Sequence, residues 1–355
     1  MKKNALATLG TLALTISTNV FAADLNIVHQ FDKQNPPGNI AVSESDRLFM
    51  SNHHFYGADN KIVEIKNNGN VAAYPNEAFS QSLNPVLGVI VDKEGVLWML
   101  ETADETTHNG RLIGWDTKKN QLHQVVYLAA PVIPADSFLN DLAVDRDNEM
   151  IYITDTAAGY NSALVVIDLK TGMAKRVLEG SQFTQPEDTD IVINGKTVMM
   201  GDAPARIGVN PITLDSKNKW LYFGAMNGTK LYRVKTDDLR NAKLSSKDLE
   251  KRVEVYADKP MSDGITIDEN DNVYVTDLEN NAVGYIGKDR QYKILHNNSE
   301  LLSWSDGFAT TANRKIFVTV NKLHKSPVLN QNKDESGNRY YIVEFDALAE
   351  TKVGH

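Results

Sequence analysis

The sequence predicts an all-β fold, a single six-bladed β-propeller with four-stranded blades. A phrase made of a small or polar pair, an alternating apolar strand, a turn and a second β-rich strand recurs six times. The copies lie 43 to 70 residues apart, and a period of this length is typical of propeller blades. One blade cannot bury both of its faces, whereas six blades stacked radially can. The first strands of the six copies are residues 37–42, 87–92, 140–145, 210–215, 263–268 and 306–311.

The remaining elements follow from the same pattern. Each first strand is followed, after a turn of three to five residues, by a partner rich in β-branched and aromatic residues, such as 151–154. Third strands are expected at 163–168 and 230–234, and the long third spacing indicates an insertion. We expect residues 25–31 to close the ring against 340–345. Aspartates that end a first strand are expected to form tight turns at the far end of the propeller: Asp92, Asp145, Asp215 and Asp268.

Residues 1–22 are expected to be a secretory signal peptide, which leaves residues 23–355 as the propeller domain. The segment begins with two lysines, continues with an uncharged and largely apolar stretch, and ends with Val20 and Ala22 at positions −3 and −1 of a cleavage site. The apolar stretch is short for a membrane span. We therefore expect a secreted or periplasmic protein without a membrane anchor after cleavage.

Composition excludes several kinds of chemistry. The chain of 355 residues has 37 Lys+Arg against 46 Asp+Glu and no cysteine. The net charge of −9 argues against a nucleic-acid partner. The absence of cysteine removes disulfides, thiol nucleophiles and cysteine-ligated metals. The phosphate-loop, serine-elbow and zinc-protease motifs are also absent from the sequence.

The candidate site is the mouth of the channel at which the first strands begin. Asn39, Gly88, Asn140, Asn210, Asp263 and Asp306 stand at the strand starts, and the loops after the second strands add His53, Glu101, Asp155, Asp277 and Asn321. Loops and strand ends from every blade converge there. Carboxylate and amide oxygens suit Ca²⁺ or another divalent cation, and they equally suit the ammonium group of an organic amine. The alternative interpretation is that these residues only cap strands.

The sequence resembles the major royal jelly protein/Yellow family, in a bacterial exported form. The resemblance lies mainly in residues 208–215 (GVNPITLD) and 220–234 (WLYFGAMNGTKLYRV), with further similarity at 140–145, 262–264 and 304–307. It implies a six-bladed propeller. For function it implies dopachrome conversion, the binding of biogenic amines in the channel, or a nutritive or signalling role, since members of the family differ in this respect. The cysteines of the insect members are absent here, so their disulfides do not carry over.

A more distant similarity is to the senescence marker protein/gluconolactonase family, whose channel metal is held by a first-blade glutamate and by later Asn and Asp residues. Asn140, Asn210 and Asp263 match the later ligands. Residues 36–39 (PPGN) stand where the glutamate is expected. The missing ligand weakens the expectation of a metal-dependent lactonase.

Three functional hypotheses follow. In the main one, the channel binds a small polar or aromatic ligand and tautomerises a dopachrome-like compound. Asp263 and Asp306 are then the catalytic pair, and Asn140 and Asn210 orient the ligand. The alternatives are a lactonase with a divalent metal on Asn140, Asn210 and Asp263, and a non-enzymatic interaction propeller with an occluded channel.

Overall fold

The computed structural model describes residues 24–103 and 106–354, and it confirms the six-bladed propeller. Each blade is a four-stranded antiparallel sheet. The expected signal peptide, residues 1–22, lies outside the described residues. None of the helices in the described ranges has the length and apolar character needed to cross a membrane.

Blades 1 to 3 follow the chain in simple order, each running from its innermost to its outermost strand. The strands of blade 1 are β2 (Pro37–Val42), β3 (Leu48–Asn52), β4 (Ile62–Ile65) and β5 (Val71–Ala73), after the N-terminal strand β1 (Asn26–Phe31). Blade 2 contains β6 (Val86–Val91), β7 (Val96–Glu101), β8 (Gly110–Asp116) and β9 (Gln121–Leu128). Blade 3 contains β10 (Leu139–Asp145), β11 (Met150–Asp155), β12 (Ala163–Asp168) and β13 (Ala174–Val177).

Between blades 3 and 4 the chain forms two small hairpins, and these account for the long spacing in the sequence. Their strands are β14 (Val192–Ile193), β15 (Lys196–Thr197), β16 (Met199–Met200) and β17 (Ala203–Pro204). The second hairpin contacts a late loop through a bridge between Met199 and Asn330. The hairpins and this loop share an apolar cluster that includes Ile193, Trp304 and Leu329. The insertion therefore stands over the channel mouth.

Blades 4 and 5 repeat the pattern of the first three, and blade 6 closes the ring. Blade 4 contains β18 (Val209–Leu214), β19 (Trp220–Ala225), β20 (Lys230–Lys235) and β21 (Glu254–Asp258). Blade 5 contains β22 (Ile265–Ile267), β23 (Val273–Asp277), β24 (Ala282–Ile286) and β25 (Tyr292–Asn297). Blade 6 contains β26 (Ser305–Thr310), β27 (Lys315–Val320) and β28 (Tyr340–Asp346), and its outermost strand is β1.

Short helices lie in the connections between strands. The helices are α1 (Glu77–Ser82), α2 (Thr236–Arg240) and α3 (Ser246–Glu250), with 3₁₀ turns at His54–Tyr56 and Leu323–Lys325. Strand β1 pairs antiparallel with β28, which confirms the expected closure. The core consists of apolar clusters between neighbouring blades, as between blades 2 and 3. The channel mouth is therefore formed by a closed ring of blades that pack against one another.

The aspartates at the ends of first strands form turns, as the sequence predicts. Asp92 Oδ1 accepts hydrogen bonds from the backbone N–H groups of Glu94 and Val96. Asp268 Oδ1 does the same for Asn270 and Asn272. These carboxylates satisfy turn donors at the end of the propeller opposite the candidate site.

Candidate functional site

A cavity of about 990 Å³ occupies the channel mouth at which the first strands begin. Its lining includes the predicted residues Asn39, Asn140, Asn210, Asp263, Asp306 and His53. Loops from several blades complete the wall, among them residues 135–138 and the late loop with Leu323 and Val328. The volume is large enough for a small organic molecule.

A β-bulge at the entry of the first strand determines which side chains reach the cavity floor. The register between first and second strands shifts between Pro37 and Ile40 in blade 1 and between Leu139 and Leu142 in blade 3. The same shift occurs in blades 2, 4 and 6. A bulge adds one residue and re-aims the side chains around it. Asn140 and Asp141 therefore both line the cavity, although they are adjacent in sequence.

Hydroxyl groups on the second strands satisfy the backbone donors that the bulges leave unpaired. Ser51 Oγ accepts from the N–H of Asn39 at 2.9 Å, and Thr154 Oγ1 accepts from that of Asp141 at 3.2 Å. Thr276 and Thr319 serve blades 5 and 6 in the same way. This polar support fixes the strand starts, and with them the side chains of the floor.

Three carboxyl groups form the floor of the cavity, from Asp141, Asp263 and Asp306. Asn39 Nδ2 donates to Asp141 Oδ1 at 2.9 Å across the channel from blade 1 to blade 3. Asn210 Nδ2 donates to Asp263 Oδ1 at 2.8 Å, between blades 4 and 5. The floor is thus a ring of side chains contributed by five blades.

Three further donors complete the hydrogen bonding of the floor. The indole N–H of Trp304 donates to Asp263 Oδ2 at 2.7 Å, and Asn321 Nδ2 donates to Asp306 Oδ2 at 2.6 Å. The backbone N–H of Leu142 donates to Asp141 Oδ1. Within residues 24–103 and 106–354, the hydrogen bonds to these three carboxyl groups come from amide or indole N–H groups. None of the three carboxyl groups forms an ion pair within these ranges.

Burial without a cationic partner raises the pKa of all three carboxyl groups, because removing water penalises the charged form. Burial raises the pKa of Asp141 to about 7, and the charge of Asp263 adds to the shift. Burial raises the pKa of Asp263 to about 6, against the hydrogen bonds from Trp304 and Asn210. Burial, followed by the charge of Asp263, raises the pKa of Asp306 well above its ordinary value.

The wall above the floor is aromatic and apolar. His53 and His54 stack with centroids 5.2 Å apart, and Phe55 packs edge-on against both rings. Phe138 lies 5.8 Å from His54. Burial lowers the pKa of His54 to about 4 and that of His53 well below its ordinary value. The histidines are therefore neutral rings, so the cavity has an uncharged aromatic side and an acidic floor.

Three acidic residues that the sequence assigned to the site, Glu101, Asp155 and Asp277, do not line the cavity, and neither does Gly88. Glu101 is fully buried and forms an ion pair with Arg111, and Asp155 forms one with Arg176 at 2.6 Å. Asp277 accepts hydrogen bonds from Asn280 and from the hydroxyl group of Tyr292. All three bind side chains of their own blade, because third and fourth strands supply partners at the second-strand ends. Asn321 also lies outside the lining, behind Asp306.

Sequence reasoning missed Asp141. Strict alternation along the first strand makes Asn140 the inward residue and turns Asp141 away from the channel. The available signal was the alignment of second strands: Asp141 bonds to Thr154 as Asn39 bonds to Ser51, so these two residues are equivalent. Gly38, which matches Asn140, carries no side chain.

The floor does not fit the metal centre implied by the more distant similarity. No group of three or more His, Cys, Asp or Glu side chains in the described ranges is arranged to hold a metal ion. Both oxygens of Asp263 accept hydrogen bonds from fixed donors, and Asn210 presents its N–H group to Asp263. Blade 1 contributes Asn39, whose amide group is already bound to Asp141 and Ile40. Asp263 and Asn39 are therefore already hydrogen-bonded within the protein.

Sequence comparison identifies one family. Residues 85–353 match the family model described as Major royal jelly protein. A comparison with curated protein sequences finds no match.

Solved structures with the same architecture include three with named activities or ligands. A luciferin-regenerating enzyme is 10% identical with a TM-score of 0.59, covering 94% of this chain and 100% of that chain. A gluconolactonase from Xanthomonas campestris is 14% identical with a TM-score of 0.56, covering 91% and 96%. Regucalcin from Agrobacterium tumefaciens, a calcium-binding protein, is 12% identical with a TM-score of 0.57, covering 92% and 97%. At these identities the likeness establishes the fold alone.

Proposed function

This chain belongs to the major royal jelly protein family, and from that premise we propose that it binds a small polar or aromatic molecule in its central cavity and tautomerises a dopachrome-like substrate. The observation that carries the proposal is the floor of three carboxyl groups, of which Asp263 is buried and Asp141 and Asp306 are partly buried; all three have raised pKa values and no cationic partner among the described residues. A positively charged or proton-exchanging ligand supplies what these groups lack.

The aromatic side chains around the cavity favour a flat ligand. The aromatic wall formed by His53, His54, Phe55 and Phe138 offers ring faces and edges for stacking. The floor of the same cavity offers carboxyl groups. A bicyclic iminoquinone such as dopachrome has both features that this cavity complements, a planar ring system and polar groups that exchange protons.

Asp263 and Asp306 divide the proton transfer between them. At neutral pH the carboxylate of Asp263, whose pKa is about 6, accepts a proton from a saturated ring carbon of the substrate. The released electron pair moves through the conjugated system to a quinone oxygen. The protonated carboxyl group of Asp306, whose pKa is well above its ordinary value, donates a proton to that oxygen. The result is an isomer of the substrate, and no oxidant is consumed.

The alternatives have less support from the site. Metal-dependent lactone hydrolysis has less support, because Asn39 already donates to Asp141 and both oxygens of Asp263 already accept hydrogen bonds. Elemental analysis of the purified protein tests that alternative directly. An interaction propeller was expected to have an occluded channel, whereas the mouth here contains a cavity of about 990 Å³.

The test is dopachrome consumption by the purified protein, followed by absorbance. We expect Asp263→Asn and Asp306→Asn to lower kcat by at least about a hundredfold, because each removes one proton-transfer group. Asp92→Asn is the control, since Asp92 is also buried but lies in a turn at the opposite end of the propeller. Wild-type rates in both floor variants, with the fold intact by circular dichroism, would refute the proposal.

A further inference from the structure

Trp304 has a backbone conformation that bulky residues avoid. It lies immediately before β26 with φ at 57°, in the left-handed region where Cβ approaches the following carbonyl oxygen. Lys322, on the facing segment after β27, is left-handed too, with φ at 58°. Two backbone hydrogen bonds of 3.2 Å, from Asn321 to Trp304 and from Lys322 to Ser303, hold the two segments together. The conformation is therefore enforced by its surroundings, which is how strain persists at functional sites.

The unusual backbone directs the indole ring across a blade boundary. Trp304 belongs to blade 6, and its fully buried indole N–H donates to Asp263 Oδ2 at the entry of blade 5. His324 stacks on the indole at 5.9 Å with an interplanar angle of 11°. Asn210 holds the other oxygen of Asp263 from blade 4. Both oxygens of one carboxylate are thus fixed by neighbouring blades on opposite sides.

We propose that Trp304 is a positioning residue, which fixes the orientation of the Asp263 carboxylate towards the cavity through its indole N–H. This role rests on the proposed function, because Asp263 has to be the group that meets the ligand. Trp304 is among the residues around the cavity, and its side chain is fully buried beside Asp263.

The chain contains a matched pair for comparison. Trp98 is also fully buried, and its indole N–H donates to Asp92 Oδ2 at 2.8 Å. This pair lies at the opposite end of the propeller and does not line the cavity. Replacing either tryptophan by phenylalanine removes the same kind of hydrogen bond from a buried site. Only the Trp304 variant loses a contact to the cavity floor.

The first measurement needs no ligand. The chain has four tryptophans, so its ¹⁵N-labelled form gives four indole N–H resonances. Trp304→Phe assigns the resonance of Trp304, and Asp263→Asn should shift that resonance while leaving that of Trp98 in place. An unchanged Trp304 resonance in Asp263→Asn would overturn the proposal. If Trp304→Phe does not fold, assignment by standard triple-resonance methods on wild type still allows this comparison.

The second measurement is steady-state turnover of L-dopachrome. We expect Trp304→Phe to lower kcat on the order of tenfold to a hundredfold with little change in KM, because a hydrogen bond to a charged group is lost from the reacting carboxylate. Trp98→Phe should keep the wild-type kcat at a comparable loss of melting temperature. Equal kcat values for the two variants would overturn the positioning role. If wild type does not consume dopachrome, the proposed reaction fails, and the indole resonance alone then decides whether Trp304 holds Asp263.

Discussion

Asp306 is the carboxyl group of the floor with the fewest hydrogen bonds. Asn321 is its recorded donor within the described ranges, whereas Asp263 accepts from both Asn210 and Trp304. Each hydrogen bond to a carboxylate stabilises the charged form and opposes the effect of burial. Asp306 therefore keeps its proton to higher pH than Asp263. Burial and then the charge of Asp263 raise the pKa of Asp306 against this single donor, and together these effects are the physical origin of the acid and base roles proposed for this pair.

The raised pKa values predict how stability depends on pH. Between about pH 4, where an unfolded aspartate titrates, and about pH 7, where folded Asp141 titrates, the folded state binds more protons than the unfolded state. The free energy of unfolding should therefore fall as the pH rises through this interval, by up to about 1.4 kcal/mol per pH unit for each such group. Asp141→Asn removes one of these groups and should flatten the slope.

Urea unfolding at a series of pH values measures this slope. Asp202→Asn, which removes an exposed aspartate, is the control for the loss of a surface charge. A slope that is equally steep in wild type and Asp141→Asn would mean that Asp141 has no raised pKa in the folded protein.

At the residue scale, the sequence was most informative for residues at the starts of the first strands. Asp263, Asp306 and Asn210 were predicted to lie at the channel mouth, and the structure places them in the lining of the cavity there. Asp141 was missed because a bulge, which depends on pairing with the second strand, overrides strict alternation. Glu101 was misassigned because its partner Arg111 lies on the next strand, and an ion pair of this kind is not visible in local sequence.

Glycines at the entry of the first strands allow neighbouring blades to approach one another. A Cβ on Gly264 would overlap the backbone carbonyl oxygen of Asp306, and one on Gly307 would overlap the side-chain oxygen of Asn39. These glycines stand one residue after Asp263 and Asp306, where the strands converge on the channel. Close contact between first strands is thus built into the elements that carry the floor.

Gly264→Ala should therefore lower both stability and ligand binding. The added methyl group forces the start of β22 away from Asp306, and overpacking of this kind costs about 1 to 3 kcal/mol. Gly287→Ala is the matched control, since its Cβ would meet its nearest neighbour at 3.4 Å, an ordinary contact distance. Thermal unfolding compares the two variants. Equal melting temperatures would show that the blades are not in close contact at Gly264.

At the element scale, prediction succeeded for first, second and third strands because their β-branched runs and Asp-rich turns are local signals. It failed for the insertion between blades 3 and 4, which could not be resolved into β14 to β17 from the sequence. Each of these strands has two residues, which is too short for periodicity to register. They are held by tertiary contacts, such as those of Ile193 and Leu329 with Trp304.

The propeller is closed by strands from the two ends of the chain. Strand β1 pairs with β28 over five residue pairs, and Phe31 packs into the cluster between blades 6 and 1. Without β1, the edge of β28 would present unpaired backbone groups. Closure is a property of the whole molecule, and the repeat count was sufficient to predict it.

Deleting residues 24–31 should therefore destabilise the entire ring. We expect a lower melting temperature and association through the exposed edge of β28, detected by size-exclusion chromatography. The variant Ile27→Thr is the control, because Ile27 is 53% exposed on the same strand. A monomeric truncated protein that melts like wild type would contradict the role of β1 in closure.

The most direct test of the account is a calorimetric titration of the protein with dopamine, a cationic aromatic probe. Wild type should bind it, and Asp263→Asn should weaken binding by at least about tenfold, because it removes the floor carboxylate that is charged at neutral pH. Asp306→Asn should have a smaller effect, because Asp306 keeps its proton at this pH. Asp277→Asn should bind like wild type, because Asp277 bonds to Asn280 and Tyr292 and does not line the cavity. Unchanged affinity in Asp263→Asn, or a loss confined to Asp277→Asn, would contradict a ligand site on this floor.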